Sequence, residues 1–135
     1  MKNINCVIRK QSLVATPEER IRQAFIAYLL HAKGYPIRSI AIEFPLKSLP
    51  HLKNEPVPVD RRIDLVVFDP TGSKPLLLVE CKAEKLSGEH ESQVFGYNAF
   101  VKAPYVALVG AEEIRLFGPK ILPELPSYDE LQISH

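Results

Sequence analysis

Arg61-Arg62-Ile63-Asp64-Leu65-Val66-Val67-Phe68-Asp69, then Pro70-Thr71-Gly72-Ser73, then Lys74-Pro75-Leu76-Leu77-Leu78-Val79-Glu80-Cys81-Lys82 is the stretch whose reading decides the fold. Alternation over 61–69 predicts a strand with Ile63, Leu65 and Val67 on one side and Asp64, Val66 and Phe68 on the other. The Pro-Thr-Gly-Ser cluster is a turn. The run after it, apolar on both sides through Val79, predicts a strand in the middle of a sheet. Two strands about so short a turn pair as an antiparallel hairpin.

Upstream, Thr16-Pro17-Glu18-Glu19 carries the signals of a helix start. Thr16 can cap, Pro17 suits the first helical position, and Glu19 completes a capping box. Ile21, Ala24, Phe25, Tyr28, Leu29 and Ala32 then recur at helical spacing, and Gly34 with Pro36 ends the helix. Ser39–Phe44 alternates like a strand. Pro45, Pro50, Pro56 and Pro58 predict a long, mobile connection without regular structure. Downstream, Ser87-Gly88 opens a helix over 89–101 with Val94, Tyr97 and Val101 near one face. Strand 104–109 follows, placed parallel to the central strand by a right-handed crossover, and Ile114–Phe117 is an edge strand. The order α-β-β-β-α-β-β is that of an α/β domain, a mixed central sheet flanked by helices. The reading divides the chain into a lead-in over 1–15 with a short strand at Cys6-Val7-Ile8, a folded domain over 16–118, and a proline-containing tail over 119–135 in which Ser127-Tyr128-Asp129-Glu130 can start a helical turn.

With 135 residues, 46% hydrophobic and 24% charged, the chain is long enough for one domain burying roughly 68% of its extended surface. Lys plus Arg is 17 against 16 Asp plus Glu, so nucleic-acid binding by bulk charge is excluded and any DNA contact requires a local patch. The 2 cysteines, Cys6 and Cys81, make neither a four-cysteine zinc site nor a disulfide framework, and Cys81 reads as a small apolar residue. No apolar run spans a bilayer and Met1–Cys6 has no signal-peptide core, so a cytoplasmic protein without a membrane partner is expected.

The chemistry concentrates on Asp64 and Glu80-Cys81-Lys82. Alternation points Glu80 and Lys82 the same way and Cys81 the other, and the hairpin brings Asp64 towards Glu80. Two converging carboxylates and the Cys81 backbone carbonyl are hard oxygen ligands for Mg²⁺, with Mn²⁺ as its substitute. A lysine two residues on can hold a metal-bound water or the attacked phosphate. Gln93 and Tyr97, four apart, share a helix face, and Glu19 can add a further carboxylate ligand, with Glu18 as its alternative. Structural roles account for the same residues one at a time. Glu-x-Lys is common as a solvated pair, Glu19 caps a helix, and Asp64 beside Arg61 and Arg62 makes a surface ion pair worth about 0–1 kcal/mol. Glu80, however, follows four apolar residues in a central strand, where an unpartnered carboxylate is costly. His31, His51, His90 and His135 show no ligand spacing, His90 being the one near Gln93.

Asp64, Glu80-x-Lys82 and Gln93-x-x-x-Tyr97, after a Glu-bearing helix, resemble the PD-(D/E)xK nuclease superfamily. More narrowly, Thr16–Gln23, Gly34-Tyr35-Pro36, Arg61–Val67, Leu76–Ala83 and Tyr97-Asn98 resemble the N-terminal nuclease domain of type I restriction enzyme R subunits, from about Thr16 to Phe117. The resemblance implies a restriction-endonuclease-like αβββαβ core and Mg²⁺-dependent hydrolysis of DNA phosphodiester bonds. It implies Asp64 and Glu80 as metal ligands, Lys82 as the catalytic lysine, Gln93 and Tyr97 as the downstream element that supports cleavage, and Glu19 (or Glu18) as the first-helix acid. The proline that precedes the first acid in the superfamily is Ile63 here, and no G-x-x-x-x-G-K-[ST] loop occurs, so no ATP-driven motor is expected in these residues.

On this reading Arg61, Arg62, Lys47, Lys53 and Lys85 contact phosphates. Cutting both strands needs two sites, from a homodimer or from other restriction-system subunits. The rival reading is a non-catalytic DNA-binding or protein-interaction module with the same fold. A small-molecule α/β domain lacks its glycine-rich phosphate loop.

Overall fold

The structure, a computed structural model, describes residues 3–5, 12–14, 16–52, 54–56 and 61–133. Strands β1 (Asn3–Asn5) and β2 (Ser12–Val14) pair antiparallel as a separate ribbon. The strand expected at Cys6-Val7-Ile8 lies outside the described residues, as do Lys53 and His135.

Helix α1 is Pro17–His31, and the Thr16 side chain accepts from the Glu19 N–H at 3.1 Å. Gly34 takes a left-handed φ of 70°, and the Tyr35 N–H returns to the Leu29 carbonyl. The buried face of α1 is Arg22, Gln23, Phe25, Ile26 and Leu29, while Ala24 and Ala32 are exposed. The expected face is therefore rotated, because Arg22 is buried with carboxylate partners and a paired guanidinium can occupy an interior position.

The sheet orders β3 (Ile40–Pro45), β4 (Arg62–Phe68), β5 (Pro75–Cys81), β6 (Tyr105–Val109) and β7 (Ile114–Phe117) side by side. The β4–β5 hairpin is antiparallel, β5 and β6 are parallel across helix α2 (Gly88–Val101), and β7 is an edge. The mixed α/β sheet and its central β5 stand as the sequence indicates.

Two apolar layers sandwich the sheet. On one face Phe25, Ile26 and Leu29 of α1 meet Leu65, Val67, Leu77 and Val79, together with Tyr128 and Leu131 of helix α3 (Tyr128–Ile133). The Tyr128 hydroxyl donates to the Phe68 carbonyl at 2.7 Å, and the Tyr35 hydroxyl to the Pro126 carbonyl at 2.9 Å. On the other face Val66, Phe68 and Leu78 meet Val94 and Val101 of α2.

Two expectations are corrected. The proline-bearing connection is not irregular over its first part: Leu46–Ser48 and Pro50–Leu52 form 3₁₀ turns that bury Leu46, Leu49 and Leu52 beneath the α2 layer. Ile63 is not on the side of Leu65 and Val67 but packs in the opposite layer with Val66. The reason is a joint irregularity of β3 and β4. Ile42 pairs with Leu65 and Phe44 with Ile63, but Glu43, at φ 49°, makes no backbone pair with Asp64. Ile42 packs with the α1 layer and Phe44 with the α2 layer, so both strands turn over at the Glu43–Asp64 step.

Candidate active site

The backbone register of β4 and β5 ends at Leu65–Val79. Beyond it, side chains take over the ladder. The Cys81 N–H donates to Asp64 Oδ2 at 2.8 Å, and the Asp64 N–H donates to Glu80 Oε1 at 3.4 Å. Each acid thus occupies a hydrogen-bonding position that a neighbouring strand would otherwise fill, which draws both carboxyl groups into one gap.

Glu80 is buried, and burial, followed by the Asp64 charge, pushes its carboxyl up to about 9. Burial thus favours its protonated form at neutral pH. Lys82 is half-buried, and its charge acts on Glu80 against that rise. Its backbone N–H bonds the Val109 carbonyl at 2.9 Å, fixing the residue at the end of the parallel pair. Cys81 is fully buried in the α1 layer, and burial raises its thiol pKa, which removes it as a nucleophile.

The two acids at the start of α1 divide their tasks. Glu19 accepts from Arg22 Nε at 2.8 Å, from Arg22 Nη2, and from Gln23 Nε2 at 3.1 Å. Glu18 has its carboxyl raised by burial and by the Asp64 charge, and lowered by Lys82 and Arg22. Its carboxyl thus senses the charges of both Asp64 and Lys82. Both acids line a cleft of about 520 Å³ that also takes in Asp64, Arg22 and Glu43.

Gln93 and Tyr97 share one surface of α2. They line a recess of about 360 Å³ with Arg61 and Phe100, and Arg61 Nη1 donates to the Tyr97 hydroxyl at 2.8 Å with its guanidinium over the ring. Gln93 is exposed and makes no hydrogen bond among the described residues. His90 has a structural task. Its N–H bonds Ser87 Oγ, its Nδ1 accepts from the Ser87 N–H, and its Nε2 sits 3.0 Å from Glu84.

Arg22 and Glu43 were not expected at the site. Arg22, buried, reaches Glu19, Glu43 at 3.0 Å and Asp64 Oδ1 at 3.8 Å. A signal existed for Arg22: it lies four before Ile26 and three before Phe25, on the stripe that goes inward. Glu43 gave none, since a strand pattern does not announce a left-handed residue.

The oxygens at this strand end and its cleft that could receive a divalent cation are those of Asp64, Glu80, the Cys81 carbonyl and an α1 carboxylate, all hard donors. Two carboxyl groups that meet at one strand end, one of them buried, suit such a group. Among the described residues, however, no cluster of three or more His, Cys, Asp or Glu forms a preassembled metal centre. No helix among them is long and apolar enough to cross a membrane.

A family model described as type I restriction enzyme R protein N terminus (HSDR_N) matches residues 17–120, from the first residue of α1 to just past β7. No curated protein and no solved structure matches the chain.

Proposed function

The chain belongs to the family of type I restriction enzyme R protein N termini, and from that membership we propose a Mg²⁺-dependent DNA endonuclease domain of a restriction system. The observation that carries the proposal is the meeting of the two acids at the open end of β4 and β5, where the Asp64 N–H donates to Glu80 and the Asp64 carboxylate accepts from the Cys81 N–H, with Lys82 next in the chain after Cys81. The succession α1-β3-β4-β5-α2-β6 supports a restriction-endonuclease-like core of the PD-(D/E)xK kind.

Asp64, Glu80 and the Cys81 carbonyl would hold Mg²⁺, or Mn²⁺ in its place, with Glu18 or Glu19 as a further ligand. When bound, the ion supplies Lewis acidity at a phosphoryl oxygen and a water of lowered pKa. Glu80 gives up its proton on loading, and Asp64 keeps its orientation through the Cys81 N–H. Lys82 steadies the attacking water or offsets charge growing on phosphorus. Gln93 and Tyr97, gathered with Arg61, support cleavage by holding the strand beside the scissile phosphate. The exposed cations Lys47, Arg62 and Lys85 serve as phosphate contacts. DNA is the substrate, and a second copy or other restriction subunits supply the second cut. A cytoplasmic location accords with such a substrate.

The test is cleavage of supercoiled plasmid with Mg²⁺. Asp64→Ala and Lys82→Ala should each lower the rate by roughly 100-fold or more, and unchanged cleavage in either removes the assigned role. The non-catalytic DNA- or protein-binding module is the second reading, favoured by the lack of a preassembled acidic cluster among the described residues. It requires that Mn²⁺ titration reveal no saturable site dependent on Asp64.

A further inference from the structure

We infer that Arg22 is a resident counter-ion of the acid site, whose guanidinium holds the Asp64 oxygen that a divalent cation must take, so that cation loading and the Arg22–Asp64 pairing exclude one another. The inference rests on the metal-dependent reading above and adds a residue which that reading does not use.

The argument starts from the orientation of Asp64. Its Oδ2 is committed to the Cys81 N–H at 2.8 Å, which leaves Oδ1 as the oxygen with open coordination. Arg22 Nη1 stands 3.8 Å from Oδ1, an ion-pair distance longer than a hydrogen bond and therefore weak enough to yield. The rest of the guanidinium is held independently of Asp64. Nε and Nη2 bond Glu19, and Nη2 also reaches Glu43 at 3.0 Å. The Arg22 side chain is only 8% exposed, so water screens its charge poorly at short range.

Glu43 shows that the fold invests in this arrangement. Its left-handed φ of 49° is unfavourable for a glutamate, and it interrupts the β3–β4 ladder opposite Asp64. The distortion accompanies a Glu43 carboxylate bonded to Arg22, while the Glu43 carbonyl accepts from Arg62 at 3.2 Å. Two carboxylates thus fix a cation beside Asp64 without themselves being drawn into the Asp64–Glu80 gap. Such a charge balances the acids before loading and opposes an incoming divalent ion. Replacing it with a neutral side chain should tighten cation binding, whereas loss of a merely structural residue would weaken binding or leave it unchanged.

Isothermal calorimetry of the full chain with Mn²⁺ at fixed ionic strength reads this directly, with circular dichroism confirming the folded state. Arg22→Gln should bind Mn²⁺ tighter by a factor of roughly ten, and Arg22→Lys, which keeps the charge, should stay close to the wild-type affinity. Should Arg22→Gln lose its fold for want of the Arg22–Glu19 bonds, the Glu19→Gln/Arg22→Gln double variant is compared with Glu19→Gln alone, and the double variant should again bind tighter. Equal or weaker binding in the charge-free variant, with wild type still saturating, overturns the counter-ion role and leaves the metal site standing. Absence of saturable Mn²⁺ binding in wild type overturns both.

Discussion

Burial pushes the Glu80 carboxyl from 4.5 up to about 9, with the Asp64 charge adding to the effect. Between those values the folded chain holds a proton that the unfolded chain has released, so folding stability falls as pH rises through that window. Glu80→Gln cannot ionise, and its melting temperature at pH 8 should exceed that of wild type, the gap closing near pH 4; calorimetric scans across pH read the difference. Because cation binding must expel that proton, Mn²⁺ should raise the wild-type melting temperature more at pH 8 than at pH 5.5. The two α1 acids separate in the same measurements. Glu18→Gln should weaken Mn²⁺ binding while leaving metal-free melting nearly unchanged, since Glu18 is exposed and its carboxyl senses the charges of Asp64 and Lys82. Glu19→Gln should instead cost about 1–3 kcal/mol in denaturant unfolding, through the hydrogen bonds it makes to Arg22 and Gln23. From sequence alone the approach of Asp64 to Glu80 was legible, because the register of a hairpin about a short turn fixes which residues lie opposite. The partition between Glu18 and Glu19 was not, since it depends on the rotation of α1 about its axis and adjacent residues on a helix differ by about 100°.

At the scale of the element, Leu46, Leu49 and Leu52 recur every third residue, which is the period of a 3₁₀ turn, where such positions eclipse. The prolines around them suggested an irregular connection, yet proline is compatible with the first residue of a tight turn and the leucines supply the apolar anchor. Leu49→Ala should therefore destabilise the fold by about 2–4 kcal/mol, while the neighbouring Lys47→Ala, at an exposed position, stays within about 0.5 kcal/mol; urea unfolding distinguishes them. The face switch at Glu43–Asp64 was equally hidden. Strict alternation assumes a continuous ladder, and one residue at positive φ breaks it for every position beyond.

Across the whole molecule, the mixed sheet was readable because its cues are local: a turn between 61–69 and 74–82, and a helix between β5 and β6. The contribution of α3 was not, because burial of Tyr128 and Leu131 depends on contacts with α1 and β4 that are distant in the chain, the Tyr128–Phe68 separation being 60. Leu131 is fully buried, and Leu131→Ala should cost about 2–4 kcal/mol in equilibrium unfolding although it lies beyond the matched residues 17–120.

The phenol contacts that seat α3, Tyr35 to Pro126 and Tyr128 to Phe68, join uncharged groups, whereas the opposite end of α1 is fastened by Arg22 to three carboxylates. The C-terminal end of the helix is therefore moored by neutral bonds and by the outlying Lys33–Glu124 ion pair, the N-terminal end by buried ionic contacts. Dissolved electrolyte screens the outlying pair and leaves the buried Arg22 contacts largely unscreened, so brine should spare the anchorage at the acid end.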